Sequence, residues 1–194
     1  IKGLSFEYRP VHLLNDGGEQ HKPEYRALNP AGEVPTLIHG QKVIGQSMAI
    51  IQYLEDAFPQ NPLLPKDVFE KAKVLQIAEN INCGHALTNL KVMQHLEKKL
   101  QLSESDRNAW TAEWIGRILT STEKMVSQTA KKYAFGNEVT VADLFIVPQI
   151  FSAIRYKVDL SPYKTLNKIN EACLVLPAFE KAHPLKQVDT PAGT

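Results

Sequence analysis

Cysteine is scarce in this chain of 194 residues, and its two cysteines stand far apart, at positions 83 and 173. There is no Cys-x-x-Cys pair, and no group of cysteines and histidines has the spacing of a structural zinc site. Two isolated thiols are typical of a protein from a reducing compartment, where disulfides are rare. We therefore expect Cys83 and Cys173 to be free, no metal to be bound, and the protein to be cytoplasmic.

Long apolar runs and an excess of one charge are also missing. The longest apolar stretches are short, such as LFIVPQIF at 144–151, whereas a helix that spans a bilayer needs about 20 apolar residues. Lysine and arginine number 22 against 21 aspartates and glutamates, which gives a net charge of +1. Without a basic excess, neither nucleic acid nor an acidic membrane surface is attracted to the protein. The sequence therefore predicts neither of these partners.

The first part of the chain carries strand, loop and helix signals in turn. Residue 1 is isoleucine, and Ile1–Gly3 reads as the end of a helix. Leu4–Leu14 has the aromatic and β-branched residues of a strand at a sheet edge. A turn follows at 15–18, and Lys22–Leu28 is predicted to form a short helix that Asn-Pro ends.

A hairpin and a longer helix complete this part. Residues 34–39 and 42–44 flank Gly40-Gln41, where glycine supplies the positive φ of a tight turn. After Ser47, a good N-cap residue, apolar side chains recur at helical spacing. Residues 1–60 are therefore predicted to form a small α/β domain.

Helix signals dominate the remainder. Residues 59–67 contain three prolines and read as a linker. Thr140 and Asp143 have the spacing of a helix-capping box, and Pro148 should kink the helix that follows. Residues 61–194 are thus predicted to form an all-helical domain. Its expected helices are Val68–Leu100 with a possible break near Cys83-Gly84, Ser103–Lys132, Thr140–Arg155, Thr165–Leu176 and Pro177–Ala182.

Several stretches give this plan a family resemblance. LNPAGEVPTLIHG (28–40), GQSMAIIQYLED (45–56) and NEVTVADLFIVPQI (137–150) resemble motifs of the glutathione transferases. The first two are similar to glutathione-binding segments, and the third to the cap and core helix of the second domain. Three further stretches are similar to the zeta class, the maleylacetoacetate isomerase group: NDGGEQ (15–20), YKVDLSPY (156–163) and HPLKQVDTP (183–191).

The resemblance implies the glutathione transferase fold: a thioredoxin-like N-terminal domain, here without its first strand and helix, followed by a helical-bundle C-terminal domain. The zeta class carries its catalytic Ser-Ser-Cys-type motif at the start of that first helix. We expect the motif to precede Ile1, and we assign no catalytic residue within this chain. A truncated form that lacks the motif is the alternative.

A binding site for glutathione follows from the same resemblance. Val34-Pro35, joined by a cis peptide bond, would pair with the cysteinyl backbone of glutathione. Gln46 and Ser47 would hold the γ-glutamyl carboxylate at a helix N-terminus, where free N–H groups attract anions. Gln20 would reach the glycyl end. The alternative readings are a trans proline at a strand start, a serine that only caps its own helix, and a solvated loop glutamine.

The second substrate of the class is a dicarboxylate keto acid. Arg155 is the best candidate for one carboxylate, because a guanidinium grips carboxylates with two hydrogen bonds. His85 and Asn89 lie four residues apart on one predicted helical face and would line the substrate site. The alternatives are a surface arginine interacting with a helix C-terminus and a structural histidine.

The implied activity is a cis–trans isomerisation that returns glutathione unchanged. Thiolate adds to the cis double bond, the resulting single bond rotates, and elimination gives the trans product. The predicted substrate is maleylacetoacetate, in tyrosine and phenylalanine catabolism, with maleylpyruvate as the closest alternative. Two further functions stay open, that of a general conjugating transferase and that of a non-catalytic binding or scaffold protein. The resemblance also implies a homodimer.

Overall fold

The computed structural model describes residues 1–190, and their backbone divides into two compact units. The first unit contains Ile1–Pro62 together with the described residues from Lys181 onward, and the second contains Leu63–Glu180. The sequence instead assigned everything after residue 60 to the helical domain. Pro191, the last residue of the HPLKQVDTP stretch, lies outside the described residues.

The first unit has few regular elements. The predicted short helix and the hairpin are both confirmed, and the hairpin is antiparallel, with Ile38 opposite Val43. Gly40 turns the hairpin with a φ of 61°, a conformation that glycine adopts without steric cost. The elements are α1 (Pro23–Leu28), β1 (Thr36–His39), β2 (Lys42–Gly45) and α2 (Ser47–Ala57), preceded by single 3-10 turns at Asn15–Gly17 and Glu19–His21.

The predicted strand at Leu4–Leu14 does not form in the described chain, and neither does a helix at Ile1–Gly3. A strand exists only where its backbone hydrogen-bonds to a neighbour, and the sheet of residues 1–190 contains β1 and β2 alone. Side-chain character alone therefore did not make this segment a strand.

Lys2 anchors the start of the chain to the end of α2. Its ammonium group forms an ion pair with Glu55 at 2.8 Å, and both side chains are more than nine-tenths buried. The same group donates hydrogen bonds to the carbonyl oxygens of Phe58 and Gln60, at 2.7 and 3.0 Å. Such a buried pair is stable only because its remaining donors are also satisfied.

The second unit is helical, and three predicted helix starts carry side-chain caps. Asp67 accepts a hydrogen bond from the N–H of Glu70, and Ser103 from that of Asp106. The Thr140–Asp143 capping box is confirmed in both directions. The helices are α3 (Val68–His85), α4 (Leu90–Lys98), α5 (Glu104–Val126), α6 (Val141–Arg155), α7 (Lys164–Leu174) and α8 (Pro177–Lys181).

The helix predicted over Val68–Leu100 is interrupted, and the predicted break near Cys83-Gly84 is confirmed. It stops at His85, passes through a 3-10 turn at Ala86–Thr88 and restarts as α4. Gly84 lies inside α3, where an added Cβ would sit 2.5 Å from the Cγ1 of Ile118 on α5. The glycine therefore allows close packing of two helices and does not end one.

The core of the second unit lies among α3, α5, α6 and α7. Its largest completely buried side chains come from these four helices: Ile77, Ile115, Leu119, Ile146, Ile150, Leu166 and Ile169. α6 continues through Pro148 as one helix. Cys83 is exposed on α3, Cys173 is buried on α7, and both thiols are free. Within residues 1–190, no helix combines the length and apolar character that crossing a membrane requires.

The start of α7 is capped from another helix. The two carboxylate oxygens of Glu123, on α5, accept hydrogen bonds from the N–H groups of Thr165 and Leu166, each at 2.9 Å. We expect Glu123→Ala to lower the free energy of unfolding by about 1–2 kcal/mol, as loss of a helix cap does. Urea unfolding would measure it. In the control Glu113→Ala, only an exposed ion pair with Arg117 is lost, and a cost as large as that of Glu123→Ala would contradict the capping role.

Candidate functional site

The first turn of α2 is not capped by its own side chains. Gln46, with a φ of 70°, is the N-cap residue, and Ser47 is the first residue of the helix, so the prediction that Ser47 is the N-cap is wrong. Neither the Ser47 hydroxyl nor the N–H groups of Ser47 and Met48 hydrogen-bond to another described residue. A helix start with free donors is a site for an anion.

The Gln46 side chain is held by an acidic neighbour. Its Nε2 donates a hydrogen bond to the Oε2 of Glu33 at 3.0 Å, although Gln46 itself is exposed. Glu33 also immediately precedes Val34. The contact therefore connects the two segments that the sequence assigned to one binding site.

The Val34-Pro35 peptide bond is cis, which confirms the prediction, and the trans alternative is wrong. Val34 is 43% exposed, and its backbone N–H and C=O form no hydrogen bond with another described residue. β1 begins just after this bond, at Thr36. An exposed residue with both backbone groups unpaired can accept an extended peptide as a short added strand.

Sequence reasoning missed the residues that support this segment. The Tyr25 hydroxyl donates to the Glu33 carbonyl oxygen at 2.7 Å and lies 2.8 Å from the Thr36 hydroxyl. The Asn29 amide donates to the same carbonyl at 2.8 Å and packs so closely on Gly45 that a Cβ there would lie 3.0 Å from it. The only sequence signal at this position is Asn-Pro after a helix, which predicts the end of the helix and no supporting contact.

Gln20 is 4% exposed, so its alternative reading as a solvated loop residue is wrong. Its Nε2 donates to the Leu13 carbonyl oxygen at 3.3 Å and lies 3.3 Å from the Nε2 of His21. Its Oε1 is buried and has no hydrogen-bond partner among the described residues. A buried acceptor without a donor is costly, and a ligand or water would satisfy it. Contact between Gln20 and a ligand stays a prediction.

His85 and Asn89 do not share a regular helical face, because α3 ends at His85 and the 3-10 turn lies between them. Asn89 is the N-cap of α4: its Oδ1 accepts the N–H of Val92 at 3.0 Å, which leaves its amide N–H groups for a ligand. The His85 side chain is solvent-exposed, yet partial desolvation by nearby protein atoms lowers the pKa of its imidazole. Near neutral pH this ring is therefore mostly uncharged.

Arg155 is the last residue of α6 and is exposed. Its guanidinium carbon lies 5.9 Å from the centre of the Tyr156 ring. Within residues 1–190 it forms no ion pair or hydrogen bond with an acidic side chain. Its charge is therefore available to an anionic ligand.

The fold brings the starts of α3 and α6, the helices that end at His85 and Arg155, close together. The N–H of Val141, the first residue of α6, donates to the Leu63 carbonyl at 3.0 Å. Val68, which begins α3, is five residues after Leu63, and that segment spans at most about 17 Å. The starts of α3 and α6 are therefore close together, and the two helices pack against each other.

Comparison with known proteins identifies the family. The family described as "Glutathione S-transferase, N-terminal domain" matches residues 1–62. Maleylacetoacetate isomerase of Rattus norvegicus is 40% identical over 192 residues, which cover 99% of this chain and 87% of the rat protein.

Two solved structures are also similar. A bacterial zeta-class maleylpyruvate isomerase is 36% identical, with a TM-score of 0.94, over 98% of this chain and 90% of its own. Maleylacetoacetate isomerase from Anaeromyxobacter dehalogenans 2CP-1, with glutathione bound in its active site, is 37% identical, with a TM-score of 0.86, over 98% of this chain and 88% of its own. The fold is thus the glutathione transferase fold, with a thioredoxin-like N-terminal domain and a helical C-terminal domain. The chain belongs to the glutathione transferase family and, within it, to the zeta class that includes the maleylacetoacetate isomerases.

Proposed function

We propose that this protein is a glutathione-dependent cis–trans isomerase that converts maleylacetoacetate to fumarylacetoacetate in tyrosine and phenylalanine catabolism. The observation that carries the proposal is the similarity, along nearly the whole chain, to an enzyme named maleylacetoacetate isomerase. Two features of single residues support it: the free hydrogen-bond donors at the start of α2, and the Arg155 guanidinium, which pairs with no acidic side chain among residues 1–190.

The residues of the first unit fit glutathione, a flexible tripeptide with two carboxylates and an extended backbone. The uncapped start of α2 offers N–H donors and the Ser47 hydroxyl to a carboxylate. Val34 offers one N–H and one C=O to a peptide backbone. The buried Oε1 of Gln20 is an acceptor that still lacks a donor. When bound, glutathione supplies a thiolate that is the nucleophile of the reaction.

The chain's own part in catalysis is binding and orientation. Ser47 and Gln46 hold the γ-glutamyl end, Val34 aligns the peptide backbone, and Gln20 contributes at the glycyl end. Binding energy that fixes a reactant in this way offsets part of the entropy that would otherwise be lost on reaching the transition state. None of residues 1–190 is assigned to activation of the thiol.

The second unit supplies the groups for the keto acid. Arg155 pairs with a substrate carboxylate, for which a planar guanidinium is suited. His85, mostly uncharged near neutral pH, contributes a hydrogen bond to the substrate. Asn89 donates its amide N–H groups. These three residues orient the double bond and stabilise the negative charge that develops on the substrate.

Maleylpyruvate is the second candidate substrate, because a maleylpyruvate isomerase structure has a TM-score of 0.94 to this chain. The protein carrying its complete reading frame should be assayed with both keto acids in the presence of glutathione. We expect a higher kcat/KM for maleylacetoacetate. A higher value for maleylpyruvate would reverse the assignment, and inactivity on both would contradict the isomerase proposal.

Ser47→Ala is expected to weaken glutathione binding about ten- to hundredfold, the effect of losing one hydrogen bond to a charged group. Because the Ser47 hydroxyl does not cap α2, the melting temperature should remain within about 1 °C of the parent value. Isothermal titration calorimetry and thermal unfolding measure the two effects. Ser5→Ala, at an exposed position of the same unit, is the matched control. Unchanged affinity in the Ser47 variant would remove this residue from the site.

The active form is a homodimer in the cytoplasm. Val68 and Phe69, adjacent at the start of α3, are 82% and 73% exposed, and large apolar side chains of this kind are common at subunit interfaces. The two free, isolated thiols support a reducing compartment. A monomeric mass in light scattering would contradict the dimer.

A further inference from the structure

The loop that precedes Gln20 contains a dipeptide that occurs once in the chain. Asp16-Gly17 is its only Asp-Gly pair, and it has no Asn-Gly pair. Asp16, Gly17 and Gly18 all have positive φ angles, of 52°, 81° and 102°. A left-handed conformation is unfavourable for a residue with a side chain, so Asp16 is held in a strained position next to two glycines.

The surroundings of this pair are open. Asp16 is exposed, and its carboxyl group has no hydrogen bond or ion pair to another described residue. A Cβ placed on Gly17 would meet no atom within 4 Å. Neither a side chain on residue 17 nor a packed neighbour therefore hinders approach of the Gly17 nitrogen to the Asp16 carboxyl carbon.

We infer that Asp16-Gly17 is a site of spontaneous succinimide formation that converts Asp16 to isoaspartate. The Gly17 nitrogen attacks Cγ of the protonated Asp16 carboxyl group, a C–N bond forms, the bond from Cγ to the hydroxyl group breaks, and that hydroxyl group leaves with the amide proton as one molecule of water. Solvent water then opens the five-membered ring at either carbonyl. Opening at the α-carbonyl routes the backbone through Cβ and Cγ and gives isoaspartate, whereas opening at the other carbonyl restores aspartate.

The change lengthens a loop whose ends are fixed. The Glu19 N–H donates to the His12 carbonyl oxygen, and the His12 N–H donates to the Glu19 carboxylate, both at 2.8 Å. Isoaspartate adds one carbon to the backbone between His12 and Glu19, the two residues that these hydrogen bonds join.

Gly18, two residues after the modified position, is closely packed. A Cβ on Gly18 would lie 2.6 Å from the Gln20 amide nitrogen and 2.8 Å from the Leu13 carbonyl oxygen. We expect the added backbone atom to displace Gln20, whose side chain packs against Gly18. Since Gln20 belongs to the proposed glutathione site, this consequence, but not the modification itself, rests on the proposed function.

The modification is tested by ageing the folded protein in water enriched in oxygen-18 at neutral pH, followed by proteolysis and mass spectrometry. We expect the peptide containing residue 16 to gain one heavy oxygen and to separate into aspartyl and isoaspartyl forms. The exposed Asp159, which is followed by leucine, is the internal control. In Asp16→Glu, where a less favourable six-membered ring would be needed, the labelled fraction should fall at least about tenfold. Labelling at Asp16 no greater than at Asp159, or no isoaspartyl form, would overturn the inference.

The effect on the loop has a separate readout. Glutathione affinity of aged and fresh protein is compared by calorimetry, with aged Asp16→Glu as the control. We expect weaker binding only in the aged parent protein. If isoaspartate forms and the affinity does not change, the proposed shift of Gln20 is wrong. If fresh protein does not bind glutathione, the proposed function fails while the mass-spectrometric result stands.

Discussion

Asp143→Ala is expected to lower the free energy of unfolding by about 4 kcal/mol. The Asp143 side chain is completely buried, and its carboxylate accepts the backbone N–H groups of Ala134 and Thr140 at 2.8 Å and the Thr140 hydroxyl at 3.1 Å. The Cys173 thiol lies 3.9 Å from the same carboxylate. Alanine would leave these buried donors without an acceptor, and each unsatisfied group costs about 1–3 kcal/mol.

Urea unfolding monitored by circular dichroism measures this loss. Asp159→Ala is the matched control, because Asp159 is exposed and accepts hydrogen bonds only from the nearby Ser161. We expect the control to change stability by no more than about 0.5 kcal/mol. Equal effects in the two variants would show that the buried network does not stabilise the helical unit as we argue.

The buried Asp143 carboxyl group also makes the free energy of unfolding depend on pH. Burial raises the pKa of Asp143 above its ordinary value of 3.8, although the hydrogen bonds from Thr140 and Ala134 oppose the shift. The folded state therefore binds this proton more tightly than the unfolded chain does. The part of the stability that comes from this difference in proton binding is complete below pH 3.8 and is lost as the pH rises through the folded-state pKa. Asp143→Asn abolishes this titration, so the difference in unfolding free energy between parent and variant should decrease with rising pH. A pH-independent difference would contradict the shift.

Arg155→Ala is expected to lower kcat/KM for the keto acid about a hundredfold, because one charge-assisted contact contributes about 1.5–3 kcal/mol. The side chain is exposed and unpaired with any acidic residue among 1–190, so the variant should fold normally. Arg155→Lys keeps the charge but loses the two-pronged geometry, and its activity should lie between those of the parent and the alanine variant. Steady-state isomerase assays at saturating glutathione measure all three proteins.

A second exposed arginine controls for loss of surface charge. Arg117, on α5, pairs with Glu113 and stacks on the Trp114 ring, and nothing assigns it to substrate binding. Arg117→Ala should retain nearly full kcat/KM. Full activity in Arg155→Ala would remove Arg155 from the substrate site, and equal losses in both variants would point to a general electrostatic effect.

Local signals predicted most of the helices. The caps at Ser103 and Thr140, and the short helix ended by Asn29-Pro30, are properties of a few neighbouring residues. The hairpin at Gly40 is equally local, because its tight turn needs a residue that tolerates a positive φ. These elements could be predicted because the interactions that define them lie within one turn of the chain.

Other features depended on groups distant in sequence. The sequence indicates a break near Gly84, but only the close contact with Ile118 on α5 shows why a glycine stands at this position inside α3. Leu4–Leu14 has the residues of a strand but no pairing partner in the described sheet. The burial of Gln20 depends on how its own loop folds over it, which no periodicity reveals.

By itself, the sequence determined the helical second half, the hairpin and the family. Helix caps, tight turns and binding motifs each depend on a few residues that are adjacent in the chain. Tertiary structure alone decided that Ser47 starts α2 with its hydroxyl unused and that Asn89 caps α4. The physical reason is that a hydrogen-bonding group can serve a cap, a neighbour or a ligand. Which of these it serves depends on the groups that folding brings within reach.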